Sequence, residues 1–151
     1  HIQHMGQTDS GLWDIATSSL AVSPNQYGVL TLTADELAYR TESVRTADWA
    51  ASRRLSDPNL LDFAAYSADF FRACSIRQAL AAVSGDDAPE QLADYFAAAN
   101  AAYFAGRMDA FARDDALEQR WQAQTGFLAV YLADILKEAP RNHCALTVPL
   151  P

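Results

Sequence analysis

Four times along this chain a threonine or aspartate stands where a helix should begin: Thr33-Ala34-Asp35-Glu36, Asp57-Pro58, Asp87-Ala88-Pro89-Glu90 and Asp114-Asp115. Such side chains accept hydrogen bonds from the unpaired amides of a first helical turn, and proline is tolerated there because its missing N–H is not needed. Thr33 with Glu36 has the form of a capping box. The stop signals fall between them: Ser56 before Asp57-Pro58, Gly85 as a left-handed C-cap, Gly106 as an end or kink, and Pro140. This punctuation divides residues 33–140 into four helical spans.

The apolar spacing within each span agrees. Leu37, Thr41, Val44, Asp48, Ala51 and Leu55 alternate four- and three-residue steps, a single stripe on a 3.6-residue period. From Pro58 to about Ser84, Phe63, Phe70, Phe71, Cys74 and Leu80 form a face wide enough for two neighbours. Leu92, Phe96, Ala99 and Tyr103 stripe the third span, and Met108–Arg113 adds one further turn. Leu117, Trp121, Gln124, Leu128, Tyr131 and Ile135 stripe the fourth, with Lys137 suited to its C-terminal dipole end. In residues 93–115 alanine lets helix axes approach closely while aromatics fill the wider layers, so this stretch reads as packing and not as a ligand site.

Short connections make neighbours antiparallel. The expected fold is therefore all-α, an antiparallel up-down bundle of four main helices. An N-terminal segment, extended or in short helix, packs across it: Leu12 to Leu20 as a short helix, and Tyr27 to Thr33 extended, because one strand without a partner is marginal. Residues 1–5, His-Ile-Gln-His-Met, resemble a vector-derived leader, which sets His1 and His4 aside. Residues 6–139 form one domain, and 140–151 an irregular tail.

With a net charge of -8 and adjacent basic residues only at Arg53-Arg54, a nucleic-acid partner is not expected. No apolar run reaches the roughly 20 residues of a membrane span. A cytoplasmic location is expected, an exported form being compatible with a removed signal. Lys137 as the sole lysine beside recurring arginine suggests a bacterial, GC-rich source. Cys74 reads as a small buried apolar residue and Cys144 as a tail residue, giving one bridge or two thiols.

No catalytic motif emerges. Glu-x-x-His, expected of a bundle metal centre, is missing, and His143 is the only histidine outside the leader. Asp109, Asp114, Asp115 and Glu118 coincide with a helix start, where acids belong. Cys144 beside His143 in extended chain would point to the opposite face. No catalytic residue, metal or cofactor is expected. The function read from the sequence is a small acidic, non-catalytic protein-interaction module: an adaptor, a secretion chaperone or a toxin-neutralising inhibitor. Its partner is a protein, basic by charge complementarity, or a second copy. Trp49, expected to be exposed, with Arg53 and Arg54 is the candidate partner surface. The alternative is a small-molecule sensor with a pocket between helices at Phe70, Arg77, Tyr103, Arg107, Trp121 and Tyr131. Arg72 is expected to pair with Asp69 or Asp94.

Overall fold

A computed structural model describes residues 2–83 and 85–150. His1, Pro151 and Ser84, where the sequence places a helix end, lie outside the described residues. The chain is mixed α/β, not all-α: 47% is helical and 20% strand. A hairpin of β1 (His4–Gln7) and β2 (Trp13–Ala16) precedes β3 (Gln26–Leu32) and β4 (Glu36–Ser43). The helices α1 (Thr46–Ser52), α2 (Pro58–Leu61), α3 (Phe63–Ala82), α4 (Pro89–Phe104), α5 (Asp115–Gln122) and α6 (Phe127–Lys137) follow. Strand β5 (Ala145–Pro149) then returns to complete an antiparallel sheet of order β3-β4-β5.

The expected first helix is where the all-α bundle fails. Thr33 Oγ1 does accept from the Glu36 amide, at 3.1 Å, the bond a capping box needs. It also accepts from Asp35, while the Thr33 amide donates to the Glu36 carbonyl at 2.9 Å, so the chain reverses instead of coiling. Turn and cap share one hydrogen bond, and the residues beyond Glu36 decide between them. Leu37, Tyr39 and Thr41 also satisfy a two-residue alternation, and two flanking strands take up the β4 ladder in cross-strand rows Leu32–Leu37–Val148 and Leu30–Tyr39–Leu146. Only Thr46–Ser52 of that stripe is helical.

Three further corrections share this cause, a partner distant in sequence. Tyr27–Thr33 is largely strand β3, paired with β4 along its length, not a lone extended segment. The tail supplies β5. Residues 13–16 pair with β1 instead of forming a short helix. The fourth span is two helices, because Gly126 adopts φ +97 and turns the chain before α6. Asp87 does not cap α4: its N-cap is Ala88, whose amide donates to the Asp86 carboxylate.

Other starts fold as read. Asp57 accepts from Asn59 ahead of Pro58, and Asp114 accepts from Ala116 and Leu117. Arg72 pairs with Asp94, both exposed. Helix α4 lies at the centre with Leu92, Ala93, Tyr95, Phe96, Ala97, Ala99 and Asn100 buried. Phe96 sits between Trp121 and Tyr131, ring centroids 5.5 and 6.0 Å away. Tyr131 donates to Asn100 Oδ1 at 2.7 Å, and Asn100 donates to Ser75, which satisfies a polar string across α6, α4 and α3. Cys74 and Cys144 are free thiols, each half-buried. No helix among the described residues is long and apolar enough to cross a membrane.

Candidate functional site

The strands and helices meet where the start of the chain, the end of α4 and the returning tail converge. Gln3 is buried at this junction. Its amide donates to the Phe104 carbonyl, and its Nε2 donates to the His143 carbonyl at 2.8 Å and to the Tyr39 hydroxyl at 3.1 Å. Gly106 makes room: a Cβ there would lie 2.7–2.9 Å from Gln3 atoms, at a φ of +68 that side chains resist. The His143 amide donates to the Gly106 carbonyl at 2.8 Å, drawing the tail onto the same point. Gly28 plays a similar part in the sheet, where a Cβ would meet the Tyr39 ring at 2.5 Å.

Beside Gln3 three titratable side chains gather. Helix α6 ends at Lys137, and Glu138 turns extended ahead of Pro140, which places its carboxylate at the helix C-terminus. His143 Nε2 lies 3.0 Å from Glu138 Oε1, and His4 Nδ1 lies 3.5 Å from the same oxygen. The two imidazoles stack with centroids 4.8 Å apart. His143 is only 4% exposed, whereas the His4 side chain is open to solvent. Tyr103, buried enough that its hydroxyl is harder to ionise than usual, also feels the Glu138 charge.

A second feature lies on the strand layer. Trp13 and Ile15 of the hairpin, Leu30, Leu37 and Val148 of the sheet, and Leu150 line a groove of about 300 Å³ with no polar side chain in its wall. Leu30 is 60% exposed and Leu32 68%. On the helical side, a cleft of about 190 Å³ between α5 and α6 has Trp121 and Leu132 at its base and the Arg113–Glu118 pair at its rim. Glu118 accepts from Arg113 Nε and from the Tyr95 hydroxyl, both at 2.7 Å. The guanidinium holds the Glu118 carboxyl below the usual range, and burial and the carboxylate push the Tyr95 hydroxyl far up.

The residues nominated from sequence are scattered over the molecule. Trp49 is 52% exposed and shares the end of α1 with Arg53 and Arg54, which are exposed and form no ion pair among the described residues. Phe70 and Arg77 are exposed on α3, and Arg107 pairs with Asp109. Tyr103 and Tyr131 meet edge to face at 6.3 Å, and burial pushes the Tyr131 hydroxyl up to about 12. Of these six pocket residues only Trp121 lines the α5–α6 cleft. Sequence reasoning missed the groove, because its wall comes from β2, β3, β4 and β5, of which β2 and β4 were read as helix and β3 and the tail as segments without a strand partner. It missed His4 and Gln3 by setting the leader aside, and no local pattern marked them, since Gln3 shares the buried face of that segment with Met5.

Residues 46–142 match the family model described as the C-terminal domain of cyclic nucleotide phosphodiesterase. No curated protein matches the chain. The matched stretch runs from the first residue of α1 to Asn142 and so takes in every helix and Glu138, leaving His4, His143 and all five strands outside it. By that match across well over half its length, the chain belongs to the family of cyclic nucleotide phosphodiesterase C-terminal domains.

Proposed function

We propose that this chain is a non-catalytic docking domain whose strand layer seats on a protein surface, that of a cyclic nucleotide phosphodiesterase's catalytic part. The observation that carries the reading is the apolar groove between the hairpin and the sheet, with Leu30 and Leu32 standing out beside it. An apolar wall built by four strands and left open favours an interaction surface, since burying it is worth roughly 25 cal/mol per Å². The family description supports this choice of occupant, since a domain named as C-terminal to a phosphodiesterase would lie beside that enzyme's catalytic part. The surplus of acidic residues adds steering toward a basic rim on the partner.

The test is association of the chain with the catalytic part of a cyclic nucleotide phosphodiesterase from the same cell, by calorimetry and by mass in solution. A saturable complex weakened at least about tenfold by Leu30→Glu is expected, equivalent to roughly 1.4 kcal/mol. Leu30 is exposed, so the variant should fold as the parent does. No complex, a complex indifferent to Leu30→Glu, or a homodimer using the groove would overturn the reading.

A further inference from the structure

The corner formed by His4, Glu138 and His143 has a donor set that no docking role requires. We propose that these three side chains bind one zinc ion, joining β1, the end of α6 and the tail. Their ligand atoms, two imidazole nitrogens and a carboxylate oxygen, all lie within 4.8 Å of one another. Zinc bonds of about 2.0–2.2 Å at tetrahedral angles put neighbouring ligands roughly 3.3 Å apart. The separations of 3.0 Å from His143 and 3.5 Å from His4, both to Glu138 Oε1, bracket that value.

His143 gives the second, independent observation. Its Nε2 is buried and makes no hydrogen bond, although Glu138 Oε1 lies 3.0 Å away. A buried nitrogen left so keeps the full cost of its lost hydration, which a metal bond would offset. Its other nitrogen, Nδ1, accepts from the Met5 amide at 3.0 Å and lies 3.1 Å from the Met5 carbonyl, so the Met5 backbone can hold either tautomer. Binding an ion would select the tautomer with the proton on Nδ1, donated to that carbonyl, which frees the Nε2 lone pair for the metal as in other metal-binding histidines. Two lone-pair donors facing each other repel unless a cation stands between them. Glu138 adds to this, since a carboxylate at a helix C-terminus meets the negative end of the dipole and gains from a positive neighbour.

Imidazole with carboxylate suits zinc among the common divalent ions, and magnesium and calcium prefer oxygen alone. Three protein ligands leave a fourth position on the side of exposed His4, filled by water. The site does not depend on the groove, and of its three ligands only Glu138 falls within the family match. Its effect is to close a loop running from residue 4 to residue 143, which the fold otherwise closes by hydrogen bonds around Gln3.

The experiment uses the full chain without a purification tag, stripped with chelator and titrated with zinc chloride by calorimetry. Cobalt substitution then reports ligand geometry through its visible spectrum. One ion per chain at micromolar affinity or tighter, a raised melting temperature and a tetrahedral cobalt spectrum are expected. Glu138→Gln and His4→Gln should each weaken binding by at least about tenfold while leaving the metal-free melting temperature close to the parent's. Because His143→Ala empties a buried position, the two partly exposed ligands carry the test. No saturable binding, or binding that survives both substitutions within a factor of about three, would show a histidine–carboxylate ion pair and nothing more.

Discussion

The helical and the strand layers of this molecule spend similar apolar side chains differently. In α3 to α6 the side chains close on one another: Ala79, Leu92, Phe96, Trp121, Leu132 and Ile135 belong to one buried cluster. In the strands only Met5 and Tyr39 are buried hydrophobics among the described residues, while Leu30, Leu32 and Trp13 remain exposed. Alanine explains the first layer. Ala93, Ala97 and Ala99 let α4 be surrounded, so that each aromatic finds a neighbour. The second layer has one apolar face and only a two-stranded hairpin to cover it. A closed core stabilises a fold, whereas a half-covered sheet leaves apolar surface in water, which supports the docking role proposed above.

The sharpest way to break the comparison is to remove volume from each layer in turn. Phe96→Ala should cost about 3–5 kcal/mol in urea unfolding, the range for a large aromatic in a packed core. Leu32→Ser should stay within about 0.5 kcal/mol, because that side chain is already in water. Comparable losses would mean that the strand layer hides a core of its own.

A smaller loss is expected at the junction between the layers. Gly106→Ala adds a Cβ against Gln3 at a positive φ, and should cost about 1–3 kcal/mol while loosening the tail and β1 together. Proteolysis at the two chain ends reads this directly: both should become cleavable in the variant, and protection of either end would uncouple them.

The smallest effect tests the electrostatics of the helical layer. The Glu118 carboxyl is depressed chiefly by its hydrogen bond from Arg113, then by that from Tyr95, with burial opposing. The folded state thus holds its proton less tightly than the unfolded one. The stabilisation is full above the ordinary carboxylate range and is lost as pH falls through the lower folded value. Urea midpoints between pH 7 and pH 3 should fall further for the parent than for Glu118→Gln, by about 1 kcal/mol with Arg113 half-exposed. Equal slopes would place the acid sensitivity elsewhere.

The helical layer was largely legible in the sequence, because its signals are local. Asp57 and Asp114 cap where they should, and Gly106 ends α4. The strands were not, because a strand is defined by a partner. Thr33 and Glu36 form the hydrogen bond of a capping box within a turn, and Leu37 fits both periods until β3 and β5 are seen beside it. The tail could not announce β5 without β4, and His4 has no meaning until the tail brings His143 to it. Each omission is a contact between residues far apart in the chain.

Native-state hydrogen exchange tests the two-layer account most directly. Amides of α3, α4 and α6 should exchange only through global unfolding, while those of β2 and β3 exchange through a partial opening of distinctly lower free energy. A single common opening energy across strands and helices would contradict it, and with it the claim that the strand layer is held in reserve for a partner.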